Sequence, residues 1–223
     1  MDLFTEKYSY LLEKCGILPV ICLKNQSELD VFMQAILKTP IKCIEITMRH
    51  PFSPDAISFI KENYPEISVG AGTVNTIEKL GEAINCGADF CVAPGTLDEI
   101  LIKADKKKMP FLAGCSTPSE IMKLAAMGYK TVKYFPAECS GGAKALKLYE
   151  GAFAGIKFLP TGGINAENLT EYAACKNVLG CGGSFMIPKS MLENGCDDEI
   201  AKTVNDLIET FERVRTNENG RIW

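Results

Sequence analysis

Eight short runs of apolar and β-branched residues recur along the chain, and a stretch with helical character follows each of them. The runs are LPVICL (18–23), KCIEIT (42–47), ISVGAG (67–72), DFCVAP (89–94), PFLAG (110–114), KTVKYF (130–135), IKFLPTG (156–162) and NVLGCGG (177–183). Strands that alternate with helices form parallel sheets. Eight such units in about 200 residues predict an α/β fold, a (β/α)8 TIM barrel, as a single domain over residues 1–223 with an N-terminal helix near residues 2–15. An open doubly wound sheet is the alternative, because alternation alone does not show that the sheet closes.

The helical stretches carry start signals. Ser27 precedes ELDVFMQAIL, Thr76 precedes IEKLGEAINCG, Thr117 with Pro118 precedes SEIMKLAAMG, and Asn165 precedes AENLTEYAAC. Side chains of this kind cap the free amide groups at the start of a helix. We therefore expect a helix to begin directly after each of these positions.

Composition and charge exclude several classes of protein. Apolar residues make up 47% of the chain, charged residues 23%, and the net charge is −4, so nothing attracts nucleic acid or an anionic membrane. No apolar run is long enough to span a bilayer, and the acidic start MDLFTEKYSY does not resemble a signal peptide. We expect a cytoplasmic protein that binds neither nucleic acid nor membranes.

Cysteine and histidine usage limits the possible chemistry further. The ten cysteines are scattered without a C-x-x-C pair, and several lie in apolar runs, where free cysteine behaves as a small hydrophobic residue. A reducing compartment follows. His50 is the single histidine, which excludes metal sites that need several histidine ligands.

Alternation along the second strand places an acid in the interior. In CIEITMR (43–49) the aliphatic residues suit the helix layer outside a barrel, so Glu45 faces inward. Arg49 lies on the same face, about 13 Å farther along the strand. The carboxyl ends of barrel strands are where active sites are built.

Two further strands bring polar groups to the same end. In KTVKYF (130–135), alternation turns Lys133 inward between outward-facing neighbours. In the third strand, Thr73 follows Val69 and Ala71 on one face and stands at the strand end. An acid, a guanidinium, an amine and a hydroxyl are thus predicted to converge.

Glycine pairs follow the last two strands. They lie in LPTGGI (159–164) and GCGGSFMIP (180–188). Glycine lets backbone N–H groups approach an anion closely, and the loops after strands seven and eight of such barrels commonly bind phosphate. These loops predict a phosphate site, with plain turns as the alternative.

A buried amine beside a carboxylate suggests Schiff-base chemistry. Burial disfavours the ammonium form, and the neutral amine attacks a carbonyl carbon. Glu45 is placed to move protons, and Arg49 to hold a substrate carboxylate. The set predicts an aldolase for a 2-oxo acid that carries a phosphate. The alternatives are a structural ion pair between Lys133 and Glu45, a solvated charge at Arg49 and a helix cap at Thr73.

The motifs around these residues match a known family. They are IEITMR (44–49), VGAGTV (69–74), VAPGT (92–96), KYFPAE (133–138), PTGGI (160–164) and GGSFMIP (182–188). On them the chain resembles the bacterial 2-keto-3-deoxy-6-phosphogluconate (KDPG) aldolases, a family that includes the 4-hydroxy-2-oxoglutarate (KHG) aldolases. The resemblance implies a class I aldolase on a (β/α)8 barrel, a homotrimer, and no metal or organic cofactor.

Carried over by position, the resemblance makes Lys133 the Schiff-base lysine and Glu45 the general acid/base, with Arg49 and Thr73 binding the pyruvate end of the substrate. The remaining implied residues are Gly162, Gly163 and Ser184 at the phosphate, and Pro94, Phe135 and Thr161 lining the site. Less typical residues are Tyr134, which should point outward, and Cys115 and His50, which we expect nearer the mouth of the site.

The predicted reaction is cleavage of KDPG to pyruvate and glyceraldehyde 3-phosphate, with KHG as a poorer substrate cleaved to pyruvate and glyoxylate. A preference for the galactonate epimer stays open, because recognition of one hydroxyl depends on side chains such as Thr161 that spacing cannot place. Cys115 and His50 also leave the identity of the substrate open. Other classes also stay open: an isomerase or a thiamin-phosphate-synthase-like transferase that shares the phosphate loops, and a non-catalytic phosphosugar-binding protein.

Overall fold

The computed structural model describes residues 3–219, in which helices and strands follow one another as predicted. The helices are α1 (Leu3–Cys15), α2 (Gln26–Leu37), α3 (Ser53–Asn63), α4 (Ile77–Asn85), α5 (Asp98–Lys106), α6 (Pro118–Ala126), α7 (Gly142–Ala152), α8 (Leu169–Ala173), α9 (Lys189–Glu193) and α10 (Asp197–Asn219). The strands are β1 (Ile17–Ile21), β2 (Cys43–Thr47), β3 (Ser68–Gly72), β4 (Phe90–Val92), β5 (Phe111–Leu112), β6 (Gly114–Cys115), β7 (Thr131–Tyr134), β8 (Lys157–Pro160) and β9 (Cys181–Gly183). Each predicted strand is present, and the fifth is divided at Ala113 into β5 and β6.

The paired strands of the described chain are parallel, and they form a curled sheet. Six strands follow the order β5-β4-β3-β2-β1-β9, and three follow the order β6-β7-β8. The β8 segment meets the β9 segment through isolated bridges, Phe158 with Val178 and Thr161 with Gly182. The order runs sequentially from β5 to β1 without a reversal, which excludes the doubly wound alternative. The continuous sheet is a half-barrel, and strand pairing does not confirm the predicted closed ring.

Helix α1 covers the N-terminal ends of the strands. Its Phe4, Tyr8 and Leu12 are fully buried and belong to one apolar cluster with residues of the strand interior, Leu18, Val20, Cys43, Phe90, Val92, Leu112 and Leu159. The Tyr8 hydroxyl donates to the Asp89 carbonyl at 2.9 Å, just before β4, and the Ser9 and Thr131 hydroxyls lie 3.3 Å apart at the start of β7. The interior is therefore covered at this end.

A second, larger apolar cluster fills the space between the sheet and the outer helices. It includes Ile44 and Ile46 of β2, Val132 and Tyr134 of β7, and Ile57 of α3. These strand residues are the ones that alternation assigned to the outside, so that prediction is confirmed.

Helix starts follow the predicted chemistry in part. The Thr76 side chain caps α4 by accepting from Lys79 N–H, and the Thr117 side chain caps α6 by accepting from Glu120 N–H. The Glu120 carboxylate in turn accepts from Thr117 N–H. The Ser27 prediction is wrong: Asn25 caps α2 by accepting from Glu28 N–H at 2.9 Å, so Ser27 lies in the first turn.

The Asn165 prediction is also wrong. Its side chain accepts from Glu167 N–H at 2.8 Å and Asn168 N–H at 3.1 Å, and α8 begins only at Leu169. The Asn165 side chain therefore closes a turn before the helix, a common role of asparagine in loops. No helix among residues 3–219 has the length and apolar character needed to cross a bilayer.

Candidate active site

A cavity of about 290 Å³ lies at the C-terminal ends of the strands and in the loops that follow them. The ten residues that the sequence assigned to a site all line it: Glu45, Arg49, Thr73, Pro94, Lys133, Phe135, Thr161, Gly162, Gly163 and Ser184. Five further residues complete the lining: Gly183 of the second predicted glycine pair, and Val20, Thr47, Ile164 and Phe185, to which the sequence assigned no role. The fold thus brings every candidate residue to one place.

An amine and a carboxylate face each other inside this cavity. Lys133 Nζ lies 3.4 Å from Glu45 Oε1, and their side chains are 7% and 1% exposed. Removing two charges from water is costly, so such a pair is a weak source of stability. Glu45 Oε2 is buried and has no hydrogen-bond partner among the described residues, which leaves an acceptor ready for a reacting molecule.

Glycine on the neighbouring strand makes room for the carboxylate. Gly72 of β3 pairs with Thr47 of β2. A Cβ atom added to Gly72 would lie 2.1 Å from Glu45 Oε1, and one added to Gly70 would lie 2.2 Å from the Phe90 ring. The GAG segment of β3 therefore has a packing role that was visible in the sequence as glycine within a strand.

Thr73 reaches the cavity by a route that alternation did not predict. Alternation puts Thr73 on the face of Val69 and Ala71, but both belong to the helix-facing cluster. Thr73 adopts φ 61°, a left-handed conformation that redirects its side chain from that face, and it lines the cavity. For a β-branched residue this conformation costs roughly 1–2 kcal/mol.

The Arg49 side chain is held in place by the buried hydroxyl of Thr47. Arg49 Nε donates to Thr47 Oγ1 at 3.2 Å, and the Thr47 hydroxyl donates to the Ile21 carbonyl at 3.2 Å. Thr47 is only 3% exposed. Sequence reasoning missed this role, although the position of Thr47 between Glu45 and Arg49 on the same strand face was an available signal.

The loops after β8 and β9 present backbone rather than charge. Gly162 and Gly163 have φ 95° and 82°, conformations that favour glycine. Thr161 is buried, and its Oγ1 has no hydrogen-bond partner among the described residues. The cationic residues in the described lining are Arg49 and Lys133, so an anion at these loops would meet backbone N–H groups and hydroxyls.

The less typical residues lie outside the cavity lining. Tyr134 is buried against the helices, as predicted, and its hydroxyl donates to the Ser140 carbonyl. Cys115 does not reach the cavity: its thiol donates to the Lys133 carbonyl at 3.5 Å, and burial raises its pKa to about 12. His50 accepts from Phe52 N–H at 3.2 Å and also does not line the cavity. The expectation that these two influence the site from its mouth is therefore not supported by contact.

The described residues include no cluster of three or more metal-ligating side chains. What the cavity does combine is a buried amine, a carboxylate with a free oxygen, a guanidinium and two glycine loops. Such a set can form an imine with a carbonyl compound, transfer protons, and hold a molecule that is anionic at both ends.

Comparisons with known proteins agree with this chemistry. The family model described as KDPG and KHG aldolase matches residues 9–203. The chain is 38% identical over 193 residues to the KHG/KDPG aldolase of Escherichia coli, covering 86% of this chain and 91% of that relative.

Two solved structures are also similar. One is KDPG aldolase from Legionella pneumophila with pyruvate captured as a covalent carbinolamine intermediate: TM-score 0.85, 32% identity, 89% of this chain and 97% of that chain. The other is KDPG aldolase of Zymomonas mobilis with 3-phosphoglycerate: TM-score 0.84, 27% identity, 91% of this chain and 95% of that chain.

Proposed function

The chain belongs to the KDPG and KHG aldolase family, and we propose that it cleaves KDPG to pyruvate and glyceraldehyde 3-phosphate through a Schiff base on Lys133. The observation that carries this proposal is the buried Lys133 amine 3.4 Å from Glu45 in a cavity lined by the other candidate residues. KHG, which would yield pyruvate and glyoxylate, is a second and poorer substrate.

The reaction begins at the carbonyl carbon of the substrate. The neutral Lys133 amine adds to this carbon to give a carbinolamine, and loss of water gives the imine. Glu45 supplies and accepts the protons that these steps require, since its second oxygen is unoccupied. The cationic imine withdraws electrons from the adjacent carbon.

Bond cleavage then follows from that electron withdrawal. Glu45 takes the proton of the hydroxyl that lies two carbons from the imine carbon, and the O–H electrons form the aldehyde carbonyl. The bond between this hydroxyl-bearing carbon and the carbon next to the imine breaks, and its electrons move toward the imine. Glyceraldehyde 3-phosphate departs, and an enamine of pyruvate stays on Lys133. Glu45 returns a proton to the enamine carbon, and water hydrolyses the imine to release pyruvate.

The two ends of the substrate use different parts of the cavity. Arg49, fixed by Thr47, and Thr73 bind the carboxylate of the pyruvate portion. Pro94 and Phe135 line the middle; the Phe135 ring centroid is 5.6 Å from Lys133 Nζ. The phosphate binds the loops after β8 and β9, through Thr161, Gly162, Gly163 and Ser184.

We also propose that the two sheets are arcs of one closed (β/α)8 barrel, forming a single domain over residues 1–223. Two features support closure. Ala113 lies between β5 and β6, and its carbonyl accepts from Lys133 N–H of β7 at 2.8 Å. With this bond, β5 and β6 form two segments of one strand. Near β9, Phe158 N–H donates to Asn177 at 2.7 Å and Leu179 N–H donates to Phe158 at 2.9 Å.

Assembly and location are proposed from the family alone. We propose a homotrimer in the cytoplasm that works without a metal or organic cofactor. Light scattering should give about three times the chain mass of 24.4 kDa. Activity should be unchanged after dialysis against a chelator, because the proposed chemistry is carried by Lys133 and Glu45.

Borohydride trapping tests the proposed mechanism. Incubation with pyruvate and borohydride should place a stable carboxyethyl adduct on the peptide that contains Lys133 and abolish activity. Lys133→Ala should yield no adduct, while Lys130→Ala, on the same segment outside the cavity lining, should label as the wild type does. Labelling at another lysine, or none in the wild type, would refute the assignment.

A further inference from the structure

The turn that follows β7 lies directly behind the glycine loop after β8. Ala137 N–H donates to the Thr161 carbonyl at 2.9 Å, and Glu138 N–H donates to the Gly162 carbonyl at 3.1 Å. These consecutive bonds attach the loop to the chain segment that carries Lys133. The position of the loop relative to the amine is therefore set through this turn.

The side chain of Glu138 also packs against the loop. A Cβ atom added to Gly163 would lie 2.6 Å from both Cβ and Cγ of Glu138, so the aliphatic stem occupies the space beside the Gly163 backbone. Glycine has the largest conformational freedom of any residue. A glycine pair that must hold one conformation needs such external support, and the Glu138 stem supplies it.

The carboxylate of Glu138 is anchored in turn by Tyr172 of α8. The Tyr172 hydroxyl donates to Glu138 Oε1, and the tyrosine ring is fully buried. Burial and the adjacent Glu138 raise the pKa of Tyr172, which keeps the hydroxyl protonated as a donor. Gly142, at the start of α7, leaves room for this bond, since an added Cβ would lie 3.1 Å from Glu138 Oε1.

We propose that Glu138, held by Tyr172, is a positioning residue that keeps the Thr161–Gly163 loop in the conformation that binds the substrate phosphate. The proposal rests on the proposed function, which assigns phosphate to this loop. Glu138 does not line the cavity, so it acts through the loop and not on the ligand. A carboxylate placed against a phosphate would repel it, which is a further reason to assign Glu138 a supporting role.

The test compares two substrates that differ only in the phosphate. Tyr172→Phe and Glu138→Ala should each lower kcat/KM for KDPG about tenfold, the value of about one hydrogen bond to a charged group. For unphosphorylated 2-keto-3-deoxygluconate, kcat/KM should stay within about twofold of the wild type, because the loop has no phosphate to position. Borohydride trapping of pyruvate should be unchanged.

Two variants serve as controls. Glu138→Gln keeps the stem and an oxygen that can accept from Tyr172, so it should restore most of the activity on KDPG. Tyr64 lies beyond the end of α3 and packs against Phe59. Tyr64→Phe removes its hydroxyl and should leave kcat/KM unchanged for both substrates. Inorganic phosphate, used as a competitive inhibitor, should bind more weakly to Tyr172→Phe and equally well to Tyr64→Phe.

The outcomes separate this proposal from the proposed function. An equal loss with both substrates, or unchanged inhibition by phosphate in Tyr172→Phe, would overturn the positioning role and reduce Glu138 to a structural contact. A wild-type enzyme without any preference for KDPG over its unphosphorylated analogue would overturn the phosphate assignment of the loop itself. A selective loss with KDPG supports both.

Discussion

The two sides of the cavity present different chemical groups. The β2–β3 side, with Lys133 from β7, presents side chains: Glu45 from β2, Arg49 after β2 and Thr73 after β3. The β8–β9 side presents loop backbone at Gly162 and Gly163, together with hydroxyls. The first side carries the charges of the cavity, and the second has a set of amides and hydroxyls without a cation.

The difference matches the two tasks. Covalent and proton-transfer chemistry needs specific titratable groups held at fixed distances, and strands within a sheet hold side chains rigidly. Anion binding can be done by backbone N–H groups, which glycine exposes but does not hold in place by itself. The first side should therefore be sensitive to changes in its own side chains, and the second to changes in what supports its backbone.

Glu45→Gln should give the largest effect. The amide keeps the shape of the side chain but cannot accept protons, so turnover of KDPG should fall by about 10²–10⁴-fold. Pyruvate should still bind in an equilibrium titration, because Arg49 and Thr73 remain. The matched control is Glu28→Gln, a buried glutamate on α2 that accepts from Lys24 N–H and should leave turnover unchanged. Nearly normal turnover in Glu45→Gln would assign the protons to water or another residue.

Gly72→Ala should impair the β2–β3 side of the cavity through a steric clash, without removing any catalytic group. The new Cβ would lie 2.1 Å from Glu45 Oε1 and must displace the carboxylate, so turnover should fall by about 100-fold, within the range of a lost general base. Gly81→Ala in α4 is the control, because its Cβ meets nothing within 4 Å and should stabilise the helix by about 0.5–1 kcal/mol. Thermal unfolding and kinetics of both variants check the prediction. Full activity in Gly72→Ala would show that the carboxylate position is not critical.

Removing the phosphate from the substrate tests the β8–β9 side. We expect kcat/KM to fall by about tenfold to a hundredfold, with part of the loss in kcat, since phosphate binding energy positions the reacting carbon. Specificity constants for KDPG, its unphosphorylated analogue, the galactonate epimer and KHG would decide the preference. A preference for KHG would contradict the phosphate anchor, whereas a preference for the galactonate epimer would leave the mechanism intact.

Thr47→Val should give the smallest of these effects. Valine keeps the volume but removes the acceptor for Arg49 Nε, so KM should rise about tenfold with little change in kcat, as for a lost hydrogen bond to a charged group. Thr47→Ser retains the hydroxyl and should restore KM. If kcat falls and KM does not rise, Thr47 acts on the reaction and not on substrate binding.

The parts of the fold that were predictable depend on local pattern. The strands appear where β-branched runs were found, and Lys133 and Glu45 face inward because alternation is a property of any strand. Thr76 and Thr117 cap helices as predicted, because a hydroxyl directly before an amphipathic stretch can accept from the free amides of the first turn. The prediction for Ser27 was wrong because Asn25, two residues earlier, is an equally good cap.

Other features could not be predicted because they depend on neighbours distant in sequence. The left-handed turn at Thr73 breaks the alternation on which its placement was argued. Cys115 faces the helices, and its thiol bonds to the Lys133 carbonyl of the adjacent strand. The Glu138–Tyr172 pair joins residues 34 positions apart.

The sequence by itself determined the order of strands and helices, the inward amine and carboxylate, and the glycine loops, because spacing and residue type act along a single stretch of chain. Only the tertiary structure decided that the Lys133 and Glu45 atoms stand 3.4 Å apart, that Gly72 leaves space for the carboxylate, and that Glu138 supports the loop. These are contacts between separate elements, and they form only when hydrophobic burial packs the helices against the sheet and sets each strand in register with the next.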